Sequence, residues 1–172
     1  MNSYRKTFTL TNASQAYFAD NATGATITLA HTATPDGYAY KVAILNNGVN
    51  NLSGITFTIT GLDADAKAQS EGLAGPTNGA TVYSVGYYSS VTSITLSSTL
   101  GVNTVDIGTS GYFASNTFPL TTDKTASLGL DLISGSINYT AECSYNEVST
   151  TNPPYIWQDL TSAGQKKKKK TA

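Results

Sequence analysis

The sequence predicts an all-β fold, an antiparallel β-sandwich or jelly-roll-like domain that is followed by an extended C-terminal arm. Short segments of alternating apolar and polar residues recur along the 172-residue chain, and Gly, Asn and Pro residues separate them. Charged residues make up 12% of the chain, about half of the roughly 25% usual in globular domains. Thr, Ser and Asn supply the polarity instead, and no stretch has a convincing helical period. Together these features favour a sandwich of short strands.

The clearest strand lies at residues 55–60, where Ile and Phe alternate with three threonines. This pattern is typical of a strand with one buried face and one solvent face. Gly61 is expected to end the strand, and a polar link at 62–68 follows. Glycines and the Asn78–Gly79 pair then indicate turns. Two further strands, at 80–85 and 91–97, complete a predicted antiparallel meander.

Further strands are expected on both sides of this meander. They are 7–11, 25–30 with Ile27 and Leu29 inward, 38–45, a short strand at Val105 and Ile107 ended by Gly108, and a long hairpin of 128–132 with 137–145. Residues 12–24 are expected to form a polar link, and 111–119 an irregular segment. The open edges of such sheets need cover, and pairing with a neighbouring subunit is one way to provide it.

The end of the chain differs in composition, which predicts two regions: a sandwich domain at 1–150 and an arm with a basic tail at 151–172. The arm contains paired prolines, which favour an extended backbone. The tail contains five consecutive lysines, half of the 10 basic residues. Without them, residues 1–165 carry 5 basic and 11 acidic groups, a net charge of 5 − 11 = −6. The near-neutral total therefore combines an acidic body with a basic tail.

One segment resembles a known group of proteins. The string TITGLDADAKAQSEGLAGPTNGATVYSVGYYSSVTSIT is similar to a segment of small virion proteins of tailed bacteriophages. Their pattern is a strand, then G-x-D-x-D-G, Gln-x-Glu, a Gly-Pro turn and an aromatic-Val-Thr-Ser-Ile strand. The resemblance covers roughly 36–108, with Pro35–Asp36–Gly37 and the Asn-rich turn before Leu52 also fitting. Ala66 departs from the pattern, which usually has Gly there, so the turn is expected to differ.

The resemblance implies a non-enzymatic structural protein of the virion, made in the host cytoplasm. A capsid decoration or cement protein is the first expectation, with the major capsid protein or other virion proteins as partners and a homo-oligomer as its state. A neck or tail ring component and a carbohydrate- or host-binding β module are the alternatives. The lysine tail could dock on an acidic partner surface, which is the first expectation, or bind nucleic acid, for which it is the only candidate segment. The chain has no apolar run long enough to span a membrane.

Residues that could carry chemistry are few. His31 is the only histidine, and no Gly-x-Ser-x-Gly motif accompanies it. Alternation places Cys143 on an apolar strand face, which favours a core thiol over a nucleophile. Asp63 and Asp65 could suit calcium, but a lone D-x-D is more often a turn former. We therefore expect no catalytic, metal or cofactor site.

Candidate interface residues are aromatic, proline or lysine residues at positions where a core role is difficult. They are Tyr87, Tyr88, Pro153, Pro154, Tyr155, Trp157, Lys166, Lys167, Lys168, Lys169 and Lys170. Tyr87 and Tyr88 are adjacent on a strand, so they face opposite ways and cannot both be inside.

Overall fold

The structure is a computed structural model that describes residues 10–116 and the backbone of two short strands, 142–144 and 157–159. The chain divides into two compact units, Met1–Thr117 and Phe118–Ala172. The predicted boundary after residue 150 lies outside the described residues and stays a prediction.

The described part of the first unit contains seven strands and no helix. They are β1 (Ala19–Ala22), β2 (Ala39–Asn46), β3 (Thr56–Leu62), β4 (Ala68–Ala74), β5 (Thr81–Tyr88), β6 (Ser90–Leu96) and β7 (Val105–Ala114). All pairings are antiparallel, in a four-stranded sheet A of order β1-β7-β2-β5 and a three-stranded sheet B of order β4-β3-β6. The prediction of an all-β antiparallel sandwich is confirmed.

In the second unit, β8 (Glu142–Ser144) pairs antiparallel with β9 (Trp157–Asp159). β8 lies within the strand predicted at 137–145. The predicted hairpin partner at 128–132 lies outside the described residues.

The alternation in β3 and β2 predicts their buried faces correctly. Phe57 and Ile59 of β3 are fully buried, and Thr56 and Thr58 between them are exposed. In β2 the buried alternating positions are Tyr40, Val42 and Ile44. Ile27 is also buried and Leu29 packs against the core, as predicted. Each large apolar side chain buried in this way contributes roughly 1.5–3 kcal/mol.

The predicted meander is wrong, because β5 and β6 belong to different sheets. β5 pairs with β2 in sheet A, whereas β6 pairs with β3 in sheet B. The chain changes sheet at Ser89, whose N–H donates to the carbonyl of Leu62 at 2.8 Å and whose hydroxyl donates to the carbonyl of Asp63 at 2.6 Å. These bonds satisfy polar groups that a sharp corner would otherwise leave unpaired.

Strand β4 was missed by the sequence analysis, which assigned its Gly72 to a turn. Its sequence, AQSEGLA, has no β-branched or aromatic residue. It nevertheless pairs with β3 at seven consecutive positions, from Ala68 opposite Leu62 to Ala74 opposite Thr56. Pairing with a strongly patterned neighbour therefore overrides the low propensity of this edge strand.

Other element bounds also differ from the prediction. β1 lies within the predicted polar link at 12–24, and β7 continues through Gly108 to Ala114. A Cβ at Gly108 would overlap the carbonyl oxygen of Ser14, so this glycine permits close backbone contact and does not end the strand. Residues 10 and 11 are not in a strand, and 7–9 lie outside the described residues.

Residues 25–34 run beside β6 without forming a regular strand. The N–H of Ile27 donates to the carbonyl of Ile94 at 3.0 Å, and the N–H of Leu96 donates to the carbonyl of Ala25 at 2.9 Å. Ala30 N–H donates to the carbonyl of Phe18 at 2.7 Å. The segment thus connects the β6 edge of sheet B with the residue before β1, and the chain itself covers this edge.

Candidate binding surface on sheet A

Three tyrosines, one valine and one lysine form an exposed group on the outer face of sheet A. Tyr83, Tyr112 and Val85 are 46%, 60% and 82% exposed, and Tyr87 and Lys41 are half-buried. We call these five residues the tyrosine face. Exposed apolar and aromatic side chains that cluster in this way mark binding surfaces more often than scattered ones do.

The pairing of β2 with β5 places Tyr83 and Tyr87 on the same face of sheet A as Lys41, and this pairing contains an irregularity. Lys41 pairs with Tyr87 and Ala43 with Tyr83, so two steps along β2 correspond to four along β5. Within the extra length, the buried hydroxyl of Ser84 accepts the N–H of Val42 at 2.8 Å and replaces a ladder bond. Ser84 lies on the inner face of the strand, and its neighbours Tyr83 and Val85 point out.

The aromatic rings of the tyrosine face contact one another and the lysine. Tyr83 and Tyr112 meet edge-to-face, with centroids 6.0 Å apart and an interplanar angle of 79°. The ammonium group of Lys41 lies 5.4 Å from the ring centroid of Tyr87 and 5.8 Å from that of Tyr112. Such cation–π contacts contribute about 0.5–1 kcal/mol at exposed sites. The Lys41 ammonium group thus contacts two aromatic rings of the sheet surface.

Side chains from β4 hold the backbone of β5 beneath this surface. The carboxylate of Glu71 accepts the N–H of Val85 at 2.9 Å and that of Gly86 at 2.7 Å, one on each oxygen. The side-chain amide of Gln69 donates to the carbonyl of Tyr87. These bonds occupy edge groups of β5 that could otherwise pair with another chain.

Of the two adjacent tyrosines predicted at an interface, the structure leaves only Tyr87 at the surface. Tyr88 is 1% exposed and belongs to the core, so the prediction of an interface role for it is wrong. Its hydroxyl lies 3.5 Å from the carbonyl oxygen of Ile59. Burial, with a smaller contribution from the negative charge of Glu71, raises the pKa of Tyr88 to about 12. It stays neutral and structural at physiological pH.

The remaining predicted interface residues lie in the second unit. Trp157 begins β9, opposite Ser144, and its side chain lies outside the described residues. So do Pro153, Pro154, Tyr155 and the lysines at 166–170. Their predicted contact roles stay predictions.

The residues considered for chemistry have structural contacts where they are described. His31 stacks on Tyr17, with centroids 4.7 Å apart. The Oδ1 atom of Asp63 accepts the N–H groups of Asp65 and Lys67 at 2.8 and 2.9 Å, which is the bonding of a turn former. Within residues 10–116, no group of three His, Cys, Asp or Glu side chains could hold a metal ion. The described residues also include no helix able to cross a membrane.

A cavity of about 280 Å³ lies where β2 begins. Gly37, Tyr38, Ala39, Ala64, Ala114 and Asn116 line the cavity.

Asp36 accepts the N–H groups of Thr11 and Tyr38 at 2.8 and 3.1 Å and the hydroxyl of Tyr40. Burial opposes ionisation of Asp36, but these hydrogen bonds outweigh it and lower the pKa of the carboxyl group. Burial raises the pKa of Tyr40, and the carboxylate of Asp36 raises it further. Asp36 thus anchors the N-terminal segment.

Searches against protein-family models, curated proteins and solved structures find no match to this chain. The resemblance to phage virion proteins is untested by these comparisons and stays a prediction.

Sequence reasoning missed Lys41, Tyr83 and Tyr112 as members of the surface. One signal was present. In the string YSVGY at 83–87, Tyr, Val and Tyr alternate with Ser and Gly, which places three large side chains on one strand face. The alternation alone could not say that this face is the outer one.

Proposed function

We propose that the chain is a non-enzymatic structural protein of a tailed-phage virion, first of all a capsid decoration or cement protein, and that it docks on neighbouring virion protein through the tyrosine face. The observation that carries the binding role is the exposed cluster in which Tyr87 and Tyr112 contact Lys41 and Tyr83 contacts Tyr112. The virion setting rests on the resemblance over 36–108.

A cement protein stabilises a shell by burying interface area, and tyrosines suit that task. Each has a flat apolar body and a polar tip, and few rotamers are lost on binding. Tyr83, Tyr112 and Val85 supply the exposed aromatic and apolar area that forms the centre of an interface. The bonds from Glu71 and Gln69 fix β5 in advance, which lowers the ordering cost of docking.

The first experiment counts copies per particle by quantitative mass spectrometry against the major capsid protein. A count comparable with the capsid protein supports decoration. A count equal to one small ring moves the protein to the neck or tail and makes the lysines at 166–170 a candidate DNA-facing element. Absence from purified particles overturns the virion proposal.

The second experiment tests the surface itself in particles that carry variant chains. Tyr83→Ser and Tyr112→Ser together are expected to lower the copy number about tenfold or more, because central aromatic residues dominate interface energies. Val102→Ser is the matched control, since Val102 is 88% exposed in the turn before β7 and outside the tyrosine face. Equal loss in both variants would argue against the face.

A carbohydrate- or host-binding module is the second candidate, and the same surface favours it because exposed aromatic rings can stack on sugars. Binding of the isolated protein to purified host polysaccharide would support it. Abolition of that binding by the double Tyr83→Ser, Tyr112→Ser change would place it on this face.

A further inference from the structure

The charged group of Lys41 contacts aromatic rings and, within residues 10–116, no carboxylate. Its ammonium group is 5.4 and 5.8 Å from two ring centroids, and within residues 10–116 the structure records no ion pair for it. The rings of Tyr87 and Tyr112 stabilise the charge only modestly. A partner that covers the face removes water from this ammonium, and burying a charge is costly unless an anion accompanies it.

Lys41 is the charged member of the tyrosine face, and it lies on an acidic domain. Residues 10–116 contain six acidic and two basic side chains, a net charge of 2 − 6 = −4 with His31 neutral. Glu71, whose side chain reaches β5, already binds two backbone N–H groups with both carboxylate oxygens. On β7, Asp106 accepts the N–H of Asn21 in β1. Neither carboxylate is recorded within ion-pair distance of Lys41.

We propose that Lys41, with the rings of Tyr87 and Tyr112, forms a receptor for an Asp or Glu side chain of the virion protein on which the tyrosine face docks. The inference rests on the proposed function and specifies the chemical group of the partner that contacts the centre of the tyrosine face. The ammonium occupies one face of each ring, and Tyr83 meets Tyr112 edge-to-face. Part of the ring area on which a sugar would stack is therefore already in use. The exposed Val85 adds an apolar contact that suits a protein surface.

The test uses particles assembled without this protein and titrated with the purified full-length chain over a range of NaCl concentrations. Lys41→Met keeps the length and apolar stem of the side chain but removes the charge. We expect it to weaken binding about tenfold, with Lys41→Glu weaker still and Lys41→Arg close to the native chain. Because salt screens ion pairs, Lys41→Met should also have a shallower salt dependence than the native chain. Lys67→Met, on the β3–β4 turn, is the matched control for loss of one positive charge.

Each contrary outcome has a distinct meaning. If Lys41→Met binds with native affinity and salt dependence while the double Tyr83→Ser, Tyr112→Ser variant fails to bind, docking through the face stands and the carboxylate receptor is wrong. If the native chain does not bind particles at all, the proposed function and the receptor both fail. If the native chain binds alginate and not particles, and Lys41→Met abolishes this, the anion comes from a glycan and the protein-partner assignment is overturned.

Discussion

Strands β3 and β5 have similar alternating sequences, but their large side chains face opposite ways, toward the core in β3 and toward solvent in β5. In β3 the large apolar residues Phe57 and Ile59 face the core and threonines face solvent. In β5 the large residues Tyr83 and Val85 face solvent, and the small Ser84 is buried. The difference arises because Tyr83 and Tyr87 pair with Ala43 and Lys41, which lie on the side of β2 opposite its core residues, and cross-strand partners share a face. A strand's period is thus a local property, whereas the choice of its buried face depends on the partner strand.

The largest expected effect contrasts one aromatic residue from each strand. Phe57→Ala should lower the free energy of unfolding by about 3–5 kcal/mol, because it leaves a cavity between the sheets. Tyr83→Ala should change it by less than about 0.5 kcal/mol, since its ring lies on the surface. Urea denaturation followed by intrinsic fluorescence measures both. Similar losses for the two variants would mean that the tyrosine face is part of the core.

The sequence predicts the part of this contrast that depends on local alternation and not the part that depends on pairing with distant strands. The strands at 55–60 and 38–45 were predicted with their buried faces, because one apolar face per strand is a local pattern. The change of sheet at Ser89 was not predicted, because it depends on bonds to residues about 26 positions earlier in the chain. β4 was not predicted, because β3 supplies the pairing that its composition does not indicate.

The candidate site was predicted only in part, for a related reason. Tyr87 was identified because two adjacent strand residues cannot both be buried. That rule could not say which of the two is inside, and Tyr88 proved to be the buried one. Lys41 joins the surface through cross-strand pairing with Tyr87, which the sequence of either strand alone does not reveal.

The next effect tests the hydrogen bond by which Ser84 replaces a regular ladder bond between β2 and β5. Ser84→Ala removes the acceptor for the buried N–H of Val42, and an unsatisfied buried donor costs about 1–3 kcal/mol. We expect a loss of that size in denaturant unfolding, together with faster hydrogen exchange at Val42. Ser98→Ala, at an exposed position, is the control and should be near neutral. A neutral Ser84→Ala would show that another acceptor or a water molecule can replace the hydroxyl.

A smaller effect is expected where β4 supports β5. Glu71→Gln replaces one of the two carboxylate oxygens with a donor that opposes a backbone N–H, which should cost about 1 kcal/mol. Hydrogen exchange at Val85 and Gly86 should accelerate, whereas exchange in β3 should change little. Asp106→Asn is the control, because the bond from Asn21 uses a single oxygen that Asn retains. Unchanged protection at Gly86 would contradict a role for Glu71 in fixing the strand.

The smallest expected effect lies in the turn that connects β3 to β4, and it has the opposite sign. Ala66 has a φ of 60°, in the left-handed region that glycine adopts more readily, and it is the position where the phage-protein pattern usually has Gly. Ala66→Gly relieves this strain but increases the entropy of the unfolded chain, so we expect a net stabilisation of about 0.5 kcal/mol. Ala64→Gly, in the same turn without a positive φ, should instead destabilise slightly. If both glycines destabilise equally, the hydrogen bonds from Asp65 and Lys67 to Asp63 fix the turn strongly enough that the strain at Ala66 has no measurable cost.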